Sequence, residues 1–447
     1  MLDERINIAM AFLLLAAGVY FSGVTRFFQV TRFFTMLTTP FKRRAGKAGI
    51  SPFRALSTAL AGSVGTGNIA GVASALAIGG PGAIFWMWVS AVFGMATKFA
   101  EVVLAVKYRE RGADGEWKGG AMYCIARGMN KKWRWLAAAF CVLGMLASFG
   151  VGNMVQVNTI SAAAEQAFFA FAPSASVTAI DLGTGLFVAA AVGAVTFGGA
   201  RRVGAAAEVL VPFMSVLYIA ASLLVIVPNF SLFPRAMAEI FSGAFGGFRP
   251  VIGGGVGFTL AQSFKCGVMR GVFSNEAGLG SAPIAHAAAE TKSPVEQGML
   301  GIMEVFIDTV VMCSLTGFMV LMAGIDIPYG DANANGMQIS AAALSTVLGA
   351  RPTGLFLAVS VLLFAFCSVL TWSLYGARCA EYLFGGRGVF FYRIVFLCAV
   401  IIGASLEASL VWRLGETFNS LMAIPNLVML TALAPGVKKA VRSYKTL

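Results

Sequence analysis

The apolar residues of this chain come in long runs separated by short polar connections. Eleven runs stand out, at about 6–25, 55–79, 82–106, 135–169, 182–200, 203–227, 251–288, 297–324, 353–384, 389–406 and 414–434. A helix needs about 20 mostly apolar residues to cross a bilayer. The pattern therefore predicts an all-α membrane protein with eleven spans. Residues 334–349, "ANGMQISAAALSTVLG", are too short and too polar to cross, and predict an extracellular surface or re-entrant helix. The fourth, seventh, eighth and ninth runs exceed 25 residues, so they tilt, break or extend into water. The opening "MLDERINIAMAFLLLAAGVYFSGV" places Asp3, Glu4 and Arg5 before its apolar run. A cleaved signal needs a positive leading region, so this stretch reads as a retained span.

The charges between the runs orient the chain. With eleven spans, one set of loops and ends holds 23 Lys and Arg and the other five, Arg5, Arg235, Arg249, Arg351 and Arg413. Cytoplasmic loops collect the cations, which predicts an N-terminus outside and a C-terminus in the cytoplasm, in the cytoplasmic (inner) membrane. Composition agrees: of 447 residues, 58% are hydrophobic and 12% charged, against roughly 25% charged in a soluble domain. That excludes a soluble globular protein and a nucleic-acid-binding domain; the formal net charge of +13 reports orientation in the lipid bilayer, not a polyanion partner. The single histidine, His286, and seven cysteines without a C-x-x-C pair predict no metal cluster and no cofactor. No H-E-x-x-H or other nucleophile–base constellation supports an intramembrane enzyme.

Two runs are chemically unfit to stay helical. The second contains "AGSVGTGNIAG", with Gly62, Gly65, Gly67 and Gly71 beside Ser63, Thr66 and Asn68. Each interior glycine costs about 1 kcal/mol against alanine. The seventh contains "RGVFSNEAGLGSAPIAHAA", where Ser274, Asn275, Glu276, Gly278, Gly280, Ser281 and Pro283 crowd together; proline removes a donor and clashes with the preceding turn. Irregular backbone at membrane depth survives only where protein or a water-filled cavity satisfies it. Two such breaks at corresponding positions point to the binding site of a secondary transporter. With the first span set aside, they fall in the first and sixth of ten. Two five-helix halves of opposite orientation follow, 55–230 and 231–434, preceded by an N-terminal helix and loop (1–54) and followed by a cytoplasmic tail (435–447). "GTGNIA" also matches a dinucleotide fingerprint, but that motif needs a preceding strand, which a 25-residue apolar run does not supply.

These residues carry a family resemblance. "SPFRALSTALAGSVGTGNIAGVASALAIGGPGAIFWMWVSAVFGMATKFAEVVLAVKYRE" resembles the opening of the alanine or glycine:cation symporter family, and "FSNEAGLGSAPIAHAAAETKSPVEQG" resembles its second signature. The likeness runs to about residue 434. It implies a LeuT-type fold of five plus five inverted helices with one extra N-terminal helix, and uptake of alanine or glycine coupled to sodium, with protons as the alternative. The ninth run departs from the family pattern F-T-T-x-x-G-W-x-x-Y-G-E: it reads "FCSVLTWSLYGA", with Cys367 in place of a hydroxyl and Thr371 in place of glycine.

An amino acid brings a carboxylate and an ammonium into a low-dielectric midplane, and both must be paired. The break in the second run exposes the N–H groups of a half-helix around Thr66, Gly67 and Asn68, which suit the carboxylate. Carbonyls around Val272, Phe273 and Ser274 suit the ammonium. Gln156 and Asn275 add polar contacts, while Phe273 and Trp372 limit the side chain. Sodium wants oxygen ligands; carbonyls near Ser63, Val64 and Gly67 and the Ser368 hydroxyl offer them. Among the intramembrane charges, Lys98 and Glu101, three apart, are expected to pair. Glu304 and Asp308, four apart, would repel unless one is protonated or partnered by Arg270 or Lys265, which makes them the proton-coupling candidates. Glu276 is expected to stabilise unwound backbone.

Overall fold

The computed structural model describes residues 2–38, 50–112, 115–169, 176–245, 260–331, 333–406 and 408–445. Part of the expected basic loop (39–49) and the first nine residues of the seventh run (251–259) lie outside the described residues. The chain is mostly helical: α1 (Leu2–Thr25), α2 (Pro52–Ser63), α3 (Val72–Gly79), α4 (Gly82–Tyr108), α5 (Ala121–Gly128), α6 (Arg134–Phe149), α7 (Val155–Phe169), α8 (Val177–Thr196) and α9 (Gly199–Ile226). There follow α10 (Phe233–Ala244), α11 (Leu260–Asn275), α12 (Ala282–Ala287), α13 (Pro294–Val305), α14 (Ser314–Met322), α15 (Gly336–Leu348), α16 (Ala350–Ala404) and α17 (Ala408–Lys445). A two-residue antiparallel hairpin, β1 (Glu110–Arg111) and β2 (Trp117–Lys118), lies between α4 and α5.

Among the described residues, eight helical stretches are long and apolar enough to cross a membrane, and the α2–α3 pair, bent by 54°, makes a ninth. The 55-residue α16 turns at Gly385, whose φ of 70° and ψ of −168° no helix adopts. It thus carries both the ninth and tenth apolar runs. The last helix continues to Lys445, so most of the expected tail is helical. The long fourth and eighth runs are interrupted by wide π-type turns at Gly150–Met154 and Phe306–Cys313. Such turns leave carbonyls free and cluster at functional sites.

Packing sorts the helices into two groups. In one, α4 lies against α11, α13 and α1; in the other, α16 lies against α6, α7 and α8. Close approach rests on small residues. A Cβ on Gly267 would sit 2.3 Å from the Ala83 carbonyl, joining α11 to α4, and one on Gly403 would sit 2.8 Å from Met154. Lipid offers no hydrophobic gain for helix association, so this contact and buried polar bonds hold the groups together.

Candidate functional site

The first break forms because the chain cannot continue the helix. Val64 turns to an extended conformation, φ −75° and ψ 105°, and ends α2. A π-type turn then covers Gly67–Gly71 before α3 resumes. The Asn68 side chain is the bolt. Its Oδ1 accepts from the Gly65 N–H at 2.8 Å, and its Nδ2 reaches Asp308 Oδ1 at 2.8 Å and Ser274 Oγ at 3.2 Å. The second break forms in the same way. Glu276, Gly278 and Gly280 all have positive φ, 55°, 91° and 86°, conformations that glycine adopts freely. Asn275 Oδ1 caps the end of α11 by accepting from the Ala277 N–H at 3.0 Å.

Asp308, on the π-type turn between α13 and α14, joins the two breaks. Its carboxylate accepts from Asn68, from Ser274 Oγ at 2.8 Å and from Thr309 Oγ1 at 2.8 Å, and all four residues are buried. Asn275 Nδ2 donates to Thr309 Oγ1 at 3.2 Å. One carboxylate with three donors from α11, the first break and its own helix is a satisfied buried charge.

Beside this knot the site opens. A Cβ on Gly67 would meet no heavy atom within 4 Å, and Gly67 is half-buried, so backbone faces space there. Thr66 is buried and its side chain makes no capping bond. Phe273 is half-buried. The Val272 carbonyl accepts from the Glu276 N–H at 3.0 Å and keeps one lone pair, beside the Phe273 and Ser274 carbonyls. Gln156 is buried; its Nε2 donates to the Val151 carbonyl at 3.1 Å, while its Oε1 has no partner. Trp372 fills the notch left by Gly152 in the α6–α7 turn, where a Cβ would come within 2.3 Å of it, and meets Tyr375 edge-on at 5.5 Å.

The structure brings two of the expected cation donors, the Ser63 carbonyl and Ser368 Oγ, to one point, while the Gly67 carbonyl accepts from the Val72 N–H. A Cβ on Gly65 would lie 3.3 Å from Ser368 Oγ on α16 and 4.0 Å from the Ser63 carbonyl. Ser63, Val64 and Ser368 are buried around that point. Ser368 Oγ donates to the Phe364 carbonyl at 3.2 Å, which leaves its lone pairs for a cation. No cluster of three or more His, Cys, Asp or Glu suited to a metal occurs among the described residues. An oxygen site for an alkali cation needs none.

The expected Lys98–Glu101 pair does not form. Lys98 Nζ bonds Glu304 at 3.1 Å, and His286 Nε2 meets the other oxygen of Glu304 at 3.1 Å, all fully buried. Glu101 instead accepts from the backbone N–H groups of Gly278 and Gly280 at 3.1 and 3.0 Å and from Asn426 Nδ2 at 2.6 Å. It thus takes the role expected of Glu276, which accepts from Ser281 Oγ at 2.6 Å. Arg270 does not pair with either acid: it lies against α3, where a Cβ on Gly71 would be 2.6 Å from its Nη1. Glu101→Gln replaces one acceptor oxygen by a donor facing a donor. An unsatisfied buried group costs about 1–3 kcal/mol, so uptake is expected to fall about tenfold or more with the protein still inserted, measured as substrate accumulation per inserted transporter.

The short apolar helix α15 was legible as non-spanning, but not its role. Ser340 Oγ donates to the Ile69 carbonyl at 3.0 Å, and Ser74 Oγ accepts from the Gly336 N–H at 3.0 Å. It lies on the opened turn and satisfies backbone that the break releases. At the opposite end, Arg109 donates to the carbonyls of Ala287, Ala289 and Thr291 at 2.9, 2.5 and 2.7 Å. Arg378 bridges Glu116 and Glu381, and Lys118 also bonds Glu381. These bonds tie the hairpin and the end of α4 to α16 and to the segment after α12.

Comparison with known proteins identifies the family. A sequence model described as the sodium:alanine symporter family matches residues 3–447. The chain is 40% identical over 441 residues to the sodium/alanine symporter AgcS of Methanococcus maripaludis, covering 97% of this chain and 94% of that protein. It is 39% identical to the probable sodium/glutamine symporter GlnT of Bacillus subtilis, over 97% of this chain and 87% of that one. Among solved structures it resembles MhsT in complex with L-phenylalanine, with a TM-score of 0.53 at 12% identity over 89% of this chain and 99% of that one. Two broken helices, the LeuT-type fold shared with MhsT, and a family match along almost the whole length agree: the chain belongs to the sodium:alanine symporter family, a family of transporters.

Proposed function

We propose that this protein is a secondary active symporter that takes up a small neutral amino acid, alanine or glycine, coupled to sodium by alternating access. The observation that carries the reading is the open backbone face at Gly67, held between two broken helices by Asn68, Ser274 and Asp308. The N–H groups of Thr66, Gly67 and Asn68 receive the substrate carboxylate, and Arg270 lends positive potential from one turn above. The carbonyls of Phe273 and Ser274 receive the ammonium, helped by Gln156 Oε1 and Asn275. Trp372 and Phe273 leave room for a small side chain only.

Sodium sits between the Ser63, Val64 and Gly67 carbonyls and the Ser368 hydroxyl, and so links α2 to α16. An ion that bridges the two packed groups favours the conformation in which the substrate site is complete, which is coupling by differential affinity. Eleven spans, with the N-terminus outside and the C-terminus in the cytoplasm of the inner membrane, fit the cation asymmetry of the loops. The two halves, 55–230 and 231–434, then move around the midplane.

Uptake into proteoliposomes under separately imposed gradients tests the proposal. A sodium gradient is expected to drive accumulation of alanine or glycine above the outside concentration, which a channel cannot do. Accumulation driven by a proton gradient without sodium would replace sodium by protons. Preference for glutamine, the substrate named for the Bacillus subtilis relative, would overturn the assignment of a small side chain.

A further inference from the structure

A groove of about 450 Å³ runs along the outside of the molecule where α6 meets the turn of α16 at Gly385. Met145 and Phe149 line one side, and Phe384, Phe391 and Val395 the other. Those last three are 65%, 67% and 55% exposed, so the groove faces the lipid. One cation, Arg387, lines it, two residues beyond the turn at Gly385. Arg387 is exposed and has no ion pair or hydrogen bond among the described residues. Its neighbours are engaged: Arg378 with Glu116 and Glu381, and Arg393 over the Phe197 ring at 5.9 Å.

The level of the groove follows from the same contacts. Arg378 and Glu381 bond residues of the polar connection that carries β1 and β2, so the turn at Gly385 lies at the membrane edge bearing the basic loops. An apolar channel at acyl-chain depth, with an uncompensated guanidinium at headgroup depth, matches one ligand chemistry. A phosphodiester with a net negative charge pairs with arginine in a two-pronged contact, while the ammonium of a zwitterionic headgroup offsets that attraction. A second copy of the chain fits worse. A twofold contact centred here would bring Arg387 of each copy together.

We propose that this groove binds an anionic phospholipid, its phosphate on Arg387 and one acyl chain along Phe384, Phe391 and Val395. The lipid then spans α6 and both parts of α16, and stiffens the group of helices against which the broken helices work.

The test uses the purified full chain in neutral detergent. Phosphatidylglycerol and phosphatidylcholine with identical acyl chains are titrated separately, and bound lipid is read by native mass spectrometry beside the unfolding midpoint. The wild type is expected to retain phosphatidylglycerol in preference and to unfold at a higher temperature with it. Arg387→Gln is expected to weaken phosphatidylglycerol binding about fivefold, the worth of one basic residue at the surface, and to leave phosphatidylcholine unchanged. Val395→Trp, which fills the groove, is expected to weaken both. Arg351→Gln, an exposed arginine at the far end of α16, is expected to change neither. A midpoint equal to wild type in lipid-free detergent shows that each variant folds; should Val395→Trp not fold, Arg387→Gln decides alone. Equal retention of the two lipids by the wild type, or a preference that survives Arg387→Gln, overturns the proposal. So does a dimer that Val395→Trp dissociates.

Discussion

Gly67→Leu is expected to abolish substrate binding and uptake while the protein remains folded and inserted. The folded state has no objection to the side chain. A Cβ at this position meets nothing within 4 Å, and leucine favours helix over glycine by close to 1 kcal/mol. What the side chain does meet is the space assigned to the substrate, so the loss falls on binding alone. Leucine fills that space and keeps the carboxylate from the backbone N–H groups. Gly67→Ala is expected to lie between, because one methyl group takes only part of the space. Substrate-dependent thermal stabilisation and uptake, measured on the same preparation, check both. Undiminished affinity in Gly67→Leu would remove the backbone cradle.

Asp308→Ala is expected to have the second large effect, and by a different route. It removes the acceptor shared by Asn68, Ser274 and Thr309, three buried donors from two breaks and a wide turn. Asn68 Nδ2 keeps the Asp308 backbone carbonyl and Ser274 Oγ, but the Ser274 and Thr309 hydroxyls lose their acceptor, each orphaned donor costing about 1–3 kcal/mol. The two breaks are then joined by the Asn68–Ser274 bond alone, and the half-helix ends no longer hold the spacing that fits a zwitterion. Uptake is expected to fall by at least about a hundredfold, with thermal stability lowered, unlike Gly67→Leu. Asp308→Asn keeps shape and one acceptor and is expected to recover part of the activity. Wild-type uptake in Asp308→Ala would show that the carboxylate only packs the interior.

The two breaks were legible because their causes are local. Glycine at 65, 67, 278 and 280 and proline at 283 weaken helix wherever they occur, and no distant contact was needed to see it. Ser368 beside Gly65 was legible through family resemblance alone; nothing in the 302 intervening residues announces it. Partner choice among the buried acids was not legible. Lys98 and Glu101 are one turn apart, and spacing alone pairs them. In the fold, the freed N–H groups of Gly278 and Gly280 claim Glu101, and Lys98 takes the acid across the interface, Glu304. Asp308 and Asn68, 240 positions apart, could be suspected one by one but not joined. Such pairings depend on which helices pack together, and hydropathy is silent on that.

One small contact shapes how the molecule can move. Ile50, just before α2, pairs with Ala289, just after α12, and the Glu290 N–H donates to the Ile50 carbonyl at 2.8 Å. The half-helices α2 and α12 are therefore stitched at their tips. Neither can tilt away from the other without breaking that backbone bond, so a spectroscopic reporter on either half-helix is expected to move with one on the other.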